Sequence, residues 1–424
     1  MSARFLMLTT FYPPHSFGGD AIGIQRLSRG LVKLGHHVTV VHDTDAYRVL
    51  HQGTWPDVPS HDSDEGVEVI RLASRAPMAS TLLTQQLGRP VVNGRAIAKI
   101  IAEGKYDVVN FHNVSLIGGP GLFAMAGDAL TAYMAHEHWL VCPMHVLWRH
   151  GRELCTEREC FKCSLSYRRP PQWWRYTGYL ERELERVDTV IAMSRFSRDK
   201  HREFGIKRDM EVLPYFLPDP VSEEVPPVVG ESPNPRPYFF FAGRLERIKG
   251  LDDVIPVFRD LPGVDLLVAG DGTHAPVLRG LAEGAPNVKF LGRISPDELS
   301  RYYQHATALV VPSECYETFG IVLIESFRQG TPVIARRLGP FPEIVEASGG
   351  GELFSTRDEL RAAMTRLSSD PGHRARLSHN GYRAYVSRWS ERVVVPQYLE
   401  LLRQAAARKG DRRREDLLTH QEVV

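Results

Sequence analysis

ALVVPSECYETFGIVLIESFRQGTPVIARR, residues 308–337, is the stretch on which the fold turns. It opens with a short β-branched run, passes through a polar loop, continues as an apolar segment of helix length ending at Gly330, and closes on a second β-branched run, Val333–Ala335. Short apolar runs bounded by turn residues indicate strands buried on both faces. A helix between two such strands forces them to run parallel. The stretch therefore predicts one β-α-β unit of an α/β domain.

The same alternation extends on both sides. Upstream lie the predicted strands YFFFAG (238–243), VDLLVAG (264–270) and NVKFLG (287–292), with helices after Gly250 and over PDELSRYYQHA (296–306). The N-terminal half repeats the pattern: strand RFLMLTT (4–10), a loop with Pro13, Pro14, Gly18 and Gly19, and a helix in which Ile24, Leu27, Leu31 and Leu34 recur at helical spacing before Gly35. Strands HVTVVHD, GVEVIRL, DVVNFHN and TAYMAHE follow. Between the halves, residues 217–237 are rich in Pro, Glu and Ser and have no periodicity.

The fold class read from this is α/β, with two doubly wound Rossmann-like domains facing across a cleft. Expected are an N-terminal domain over 1–216 with a Cys-rich insertion at about 140–170, a linker at 217–237 and a C-terminal domain over 238–387. A helix over about 389–407 is expected to pack back on the N-terminal domain, ahead of a charged, frayed tail to 424. A chain of 424 residues is long enough for two separate cores.

Composition narrows the function. Lys plus Arg number 52 against 51 Asp plus Glu, a net charge of +1, which gives no reason for a polyanion partner and disfavours nucleic acid. The apolar runs fall far short of the roughly 20 residues of a membrane-spanning helix. The N-terminus has no signal-peptide pattern, so a soluble, cytoplasmic protein is expected.

In open α/β sheets ligands sit beyond the carboxyl ends of strands. After the strand at 238–243 come Arg244 and, five residues on, Lys249, with Gly250 opening a helix. Two cations and a helix N-terminus at one strand end suit a diphosphate; the alternative is two solvated surface cations. After the strand at 308–311 comes Glu317, with Glu325 eight residues further on. At about 100° per residue these two carboxylates do not share a face if both are helical. The economical arrangement puts Glu317 in the loop, Gly320 where a ligand approaches the backbone, and Glu325 just over one turn into the helix, aimed at the same pocket. Among Phe319, Ile321, Leu323 and Ile324, a buried carboxylate needs hydrogen-bond donors, and sugar or ribose hydroxyls supply them. The competing reading of Glu325 is an exposed helix residue.

These motifs together resemble the family-4 retaining glycosyltransferases of the GT-B fold. ETFGIVLIE matches their E-x7-E hallmark and GRLERIKG their diphosphate-binding Arg and Lys, while FYPPHSFGGDAIGIQRLSRGLVKLGHHVTVV resembles their N-terminal glycine loop and helix. AGDG, FLGRIS and GTPVIARRLGPFPEIV resemble further donor-domain turns. The resemblance implies that Glu317 binds hydroxyls of the transferred sugar and Glu325 the nucleotide ribose. Arg244 and Lys249 would neutralise the diphosphate. Backbone amides near Phe319, Gly320 and Ile321 would add donors, backbone near Ile294 would meet the base, and Gly18 and Gly19 would let the opposite loop approach the phosphate. It also picks His136 as the active-site histidine, with His112 and His138 its near competitors.

The activity so implied is transfer of a sugar, with retention, from a nucleoside-diphosphate sugar, first of all a UDP-sugar, to an unidentified small-molecule, glycan or lipid-linked acceptor. A double displacement needs a carboxylate nucleophile beneath the anomeric carbon, and no motif supplies one. The resemblance implies a front-face reaction instead, with the departing phosphate helping to accept the acceptor's proton, and no metal cofactor is expected. The rivals are a nucleotide-sugar epimerase, a sugar phosphorylase, and a non-catalytic sugar-nucleotide-binding scaffold. Asp43 and Asp45, an Asp-x-Asp pair after a strand of the first half, are read as loop carboxylates rather than a metal clamp.

Four of the five cysteines, Cys142, Cys155, Cys160 and Cys163, lie within 22 residues as C-x12-C-x4-C-x2-C. That spacing suits a structural zinc, with an iron–sulfur cluster as the second reading and four unligated thiols as the third. Cys315 is expected to be a packed thiol. The segment 167–187 mixes Arg with Trp173, Trp174, Tyr176 and Tyr179; contact with a membrane surface is one reading, and aromatic core the favoured one.

Overall fold

The computed structural model describes residues 2–51, 56 and 58–419, and of Pro296 and Asp297 only the backbone. The chain divides into two compact units. Unit 1 comprises the residues up to Tyr215 together with those from Glu391 onward, and unit 2 runs from Phe216 to Ser390.

Unit 1 is built from β1 (Arg4–Thr9), β2 (His37–Asp43), β3 (His61–Asp64), β4 (Val67–Leu72), β5 (Val108–Phe111), β6 (Leu130–Ala135), the short pair β7 (Trp148–Arg149) and β8 (Glu153–Leu154), β9 (Thr189–Ala192) and β10 (Glu211–Val212). Its main sheet has the order β10-β9-β6-β5-β1-β2-β4-β3. Neighbours are parallel except β3 against β4. Phe5, Leu6, Met7 and Leu8 on β1 are all fully buried, as a strand covered on both faces requires. The first crossover helix, Gly19–Lys33, turns Ala21, Ile24, Leu27 and Leu31 inward at helical spacing.

The helix Glu391–Lys409 belongs to this unit. It is held by Lys33 to Glu391 at 2.7 Å and by Asn110 Nδ2 donating to the Tyr398 hydroxyl at 2.9 Å. Gly30 is what admits it: a Cβ there would stand 3.0 Å from Val395 Cγ2. Trp389, expected in this helix, instead caps the preceding one, Pro371–Arg388. The expected frayed tail also departs from the structure, because Arg412–Leu418 form a helix. Asp411 caps it by accepting from Arg414 N at 3.1 Å, Arg413 reaches Asp107 at 2.6 Å, and Leu418 is buried. Charge density alone suggested fraying, but the charges are paired and one apolar residue anchors the turn.

Unit 2 consists of β11 (Tyr238–Ala242), β12 (Asp265–Ala269), β13 (Val288–Gly292), β14 (Ala308–Val311), β15 (Val333–Arg336) and β16 (Gly351–Phe354). They form a fully parallel sheet in the order β13-β12-β11-β14-β15-β16, the doubly wound arrangement whose topological switch lies between β11 and β14. Phe239, Phe258, Leu266 and Val310 lie in its buried core. Residues 217–237 carry no strand or helix beyond an isolated bridge at Leu217. They are nevertheless tied to unit 2: Leu217 N donates to Trp389 O at 2.9 Å, Tyr382 to Ser222 O at 2.6 Å, and Asn234 Nδ2 to Asp265 Oδ2 at 3.0 Å.

Gly320 is the conformational keystone of the quoted stretch. It sits at φ +100° as the N-cap of helix Ile321–Arg328, and a Cβ on it would fall 2.6 Å from the Phe341 ring. Gly320→Ala is expected to lower stability by about 1–3 kcal/mol, because strained backbone and steric conflict add. Chemical denaturation checks this; an unchanged midpoint would contradict the placement.

Candidate active site

At the switch point of unit 2, the loops after β11 and β14 are knitted together by their backbones. Glu314 N donates to Ile248 O at 2.8 Å, and a Cβ on Gly250, at φ +71°, would stand only 2.1 Å from Pro312 O. This close approach brings Lys249 Nζ to 2.5 Å from Glu317 Oε1. Ser313 Oγ reaches the same oxygen at 3.2 Å and Cys315 Sγ lies 3.9 Å from it. Arg244, more exposed, is within electrostatic reach of both members of the pair.

Burial opposes the charge on each partner, but their mutual attraction wins: the Glu317 carboxyl is held below its usual range and the Lys249 ammonium above its own. All three contacts end on Oε1, which leaves Oε2 of Glu317 to accept from a ligand hydroxyl. The remaining strand-end turns of unit 2 join this edge of the sheet. Leu245 N donates to Asp271 O at 2.9 Å, and Gly270 N to Gly292 O at 2.7 Å, just before Arg293 and Ile294.

Glu325 stands in the second turn of helix Ile321–Arg328, partly buried, with Tyr303 Oη 3.5 Å from its Oε2. It thus meets a different neighbour from Glu317. Phe319 is buried, Gly320 and Ile321 open the helix, and no side chain caps the amides there.

In unit 1, Gly18 and Gly19 start helix Gly19–Lys33 after the β1 loop. Thr10 N donates to Asn113 O at 2.6 Å, fastening that loop to the end of β5. His136, one residue beyond β6, is buried with both ring nitrogens engaged: Nε2 with His112 Nδ1 at 2.9 Å and Nδ1 with the Tyr215 hydroxyl at 2.5 Å. Burial lowers His136 to about 4, against an opposing pull from Glu137, so its imidazole is neutral at pH 7. The structure joins His112 and His136 in one relay, whereas His138 packs against His201 with ring centroids 5.2 Å apart.

Asp43 and Asp45 have local structural work. Asp43 Oδ1 caps helix Thr44–Leu50 by accepting from Asp45 N at 2.8 Å, and Asp45 Oδ1 accepts from Ser74 N at 2.9 Å. Cys142, Cys155, Cys160 and Cys163 line one cavity. Among the described residues no three His, Cys, Asp or Glu side chains are placed, as they stand, to hold a metal ion. Cys315 is buried beside Glu317. Trp174 is buried, while Trp173 and Tyr176 are exposed. Among the described residues no helix is long and apolar enough to cross a membrane.

The sequence reading passed over further residues in each unit. Ser313 shares Glu317, Tyr303 meets Glu325, and Tyr215 closes the histidine relay. Tyr215 had one indirect signal, Gly23, whose missing Cβ leaves room for the tyrosine ring; a Cβ would sit 2.4 Å from it. Asp20, in the first turn after the glycine pair, is raised by burial and by Glu137, which joins it electrostatically to this cluster.

The two units are Rossmann-like α/β domains of largely parallel strands, the GT-B type of architecture, and the second carries a cation–carboxylate pair at its switch point. Two family models match in tandem, Glycosyltransferase Family 4 over residues 17–217 and Glycosyl transferases group 1 over residues 225–384. The chain belongs to this glycosyltransferase family and is a transferase, which sets aside the scaffold and epimerase readings. It is similar to the glycogen synthase of Mycobacterium tuberculosis, 26% identical over 96% of this chain and 96% of that protein. Among solved structures it resembles sucrose-phosphate synthase from Thermosynechococcus elongatus, with a TM-score of 0.70 at 20% identity over 96% of this chain and all (100%) of that one. It also resembles Anabaena HepE in complex with UDP-glucose, with a TM-score of 0.63 at 16% identity over 95% of this chain and 100% of that one.

Proposed function

We propose that this glycosyltransferase moves a sugar from a nucleoside-diphosphate sugar, first of all a UDP-sugar, to an acceptor hydroxyl with retention at the anomeric carbon. The observation that carries the reading is the Lys249–Glu317 pair at 2.5 Å beneath the switch point, with Arg244 alongside. Its chemistry fits both ends of such a donor: cations for the diphosphate, and a carboxylate oxygen for the sugar hydroxyls. The resemblance to a structure that holds UDP-glucose supports the uridine choice.

Breaking the bond between anomeric carbon and diphosphate puts negative charge on the leaving oxygens. Lys249, Arg244 and the open amides at the start of helix Ile321–Arg328 face that charge, and preorganised donors of this kind are the largest catalytic lever. Glu325 would take ribose hydroxyls, Ile294 backbone the base, and Gly18 and Gly19 the phosphate from the N-terminal loop. His136, neutral at pH 7 and held by His112 and Tyr215, would line the pocket at the sugar's reacting face without adding charge. The acceptor attacks from the face that the diphosphate leaves, and the departing phosphate takes its proton.

The test is acceptor-dependent release of free UDP from a UDP-sugar, measured with and without a chelator of magnesium and manganese. Release that needs acceptor and ignores the chelator is expected. Release without acceptor, or loss of turnover restored by added divalent ion, contradicts the mechanism.

A further inference from the structure

The segment between Cys142 and Arg168 is folded with little to fold it. Its regular structure is the two-residue strands β7 and β8 and one short helix, Cys160–Ser166. Of the six non-glycine residues at positive φ among those described, His145, Leu147, His150 and Arg168 fall in this segment. Each such residue costs on the order of 1 kcal/mol or more and persists only where its surroundings over-determine it. The few buried apolar side chains here, such as Leu147 and Trp148, are a weak constraint for so much strain.

All four clustered cysteines face one small cavity of about 20 Å³, room for a single water-sized body. The secondary structure puts them there. Cys142 precedes the β7–β8 hairpin and Cys155 follows it, its amide donating to Leu147 O at 2.8 Å. Cys160 and Cys163 stand one helical turn apart on one face. The backbone amide of His150, at the hairpin turn, donates to Cys163 Sγ at 3.2 Å and fixes that sulfur at the cavity.

A second observation is independent of the thiols. The guanidinium of Arg175 is sandwiched between the rings of Trp139 and Trp174, at 5.1 and 4.6 Å from their centroids. Its Nη2 is buried with no hydrogen-bond partner, although Cys142 and Cys160 are within its electrostatic reach. Nε bonds Gln172 and Nη1 bonds Leu140 O, so Nη2 is the one donor of this guanidinium left over, and a thiolate nearby would satisfy it.

We propose that Cys142, Cys155, Cys160 and Cys163 bind one structural zinc ion as a tetrathiolate, and that Arg175 is the positioning residue that neutralises it and donates to its sulfurs. Binding releases four protons to solvent and forms four Zn–S bonds. The site then carries two net negative charges, which the Arg175 cation partly offsets. The thiols close on the ion by side-chain rotation from the arrangement around the cavity. Zinc is chosen over an iron–sulfur cluster because the cavity has room for one ion only. The ion would fasten the chain that leaves β6 at His136, since Cys142 N donates to His138 O at 2.8 Å. This proposal does not depend on which donor or acceptor the enzyme uses.

The test is elemental analysis of the full chain produced with zinc in the medium and purified under reductant without chelator. About one zinc per chain is expected, and less than about 0.2 overturns the proposal, as does iron in its place. The double variant Cys160→Ser with Cys163→Ser is expected to lose the metal; full zinc content in that variant overturns the ligand set. Should it fail to fold, replacement of zinc by cobalt in the unaltered chain decides. Sulfur-to-cobalt charge transfer with tetrahedral d–d bands supports the site, and octahedral-type spectra overturn it. For Arg175, competition with a chromogenic chelator is expected to show zinc held about 10–100-fold more weakly in Arg175→Leu and largely recovered in Arg175→Lys. Equal affinity in Arg175→Leu overturns its role.

Discussion

Lys249→Ala is expected to lower kcat by about 100–1,000-fold, the loss seen when one preorganised donor to a developing oxyanion is removed. Lys249 is the cation fixed closest to Glu317, and the fixing matters because charge held in place needs no reorganisation as the diphosphate departs. The variant also leaves Glu317 without its ionic partner, so a stability loss of about 1–3 kcal/mol accompanies the kinetic one. Adding Glu317→Gln separates the two effects: the double variant regains stability, since a neutral amide needs no cation, but not turnover. Steady-state kinetics with denaturation curves on the three proteins checks this, and near-normal turnover in Lys249→Ala would contradict the assignment.

Acidification below pH 6.5 is expected to unfold the N-terminal unit. His42, His112, His136 and His201 are all buried, and burial lowers each below the ordinary histidine value of 6.5, His136 and His201 to about 4. A lowered folded-state value means that the unfolded chain binds protons first. The contribution of these four histidines is therefore complete above pH 6.5 and is lost as pH falls from 6.5 toward 4, while buried Asp43, raised to about 8, and Asp20, also raised, change stability in the opposite sense. For His136 and His201 the loss approaches roughly 3 kcal/mol each, which together rivals the whole stability of an ordinary domain. In the second unit Glu317, held low by Lys249, gives a separate loss of the same sign as pH falls below about 4.5. His201 is the chosen probe because its Nδ1–H donates to the backbone of its own helix, Ser197 O at 2.7 Å. The unfolding midpoint, measured between pH 7.5 and 5, should fall steeply in the unaltered protein and less steeply in His201→Asn. A pH-independent midpoint would contradict this.

Much of the fold was legible because parallel strands buried on both faces announce themselves as continuous apolar runs. HVTVVHD matches β2 residue for residue, and the strand from Ala308 and the helix after Gly320 lie where residues 308–337 placed them. What escaped was short or polar. β3 is HDSD, an edge strand with no apolar face; β16 begins at a glycine; β10 has two residues; and β9, an apolar run of ordinary kind, was passed over beside the charged segment before it. The tail helix was missed because its charges find partners in distant sequence, Arg413 with Asp107.

The candidate site was legible wherever function rests on side chains at fixed spacing. Arg244, Lys249 and Glu317 lie at the switch point as their positions after strands implied. The resemblance identified His136, but nothing local announced that Tyr215, 79 residues later, holds its Nδ1. Contacts that join distant segments leave only indirect traces, such as the glycine at position 23. Glu325 was expected in the helix and stands there, and its contact with Tyr303, 22 residues earlier, had no local signal.

The most direct test of the central claim is calorimetric titration of UDP, with ADP and GDP as controls, into the unaltered protein and into Lys249→Ala. UDP binding in preference to the controls, weakened at least tenfold (about 1.4 kcal/mol) by the substitution, is the expected result. Equal affinity in both proteins, or no binding of any nucleoside diphosphate to the unaltered chain, would contradict the claim that Lys249 and its neighbours grip the donor's diphosphate.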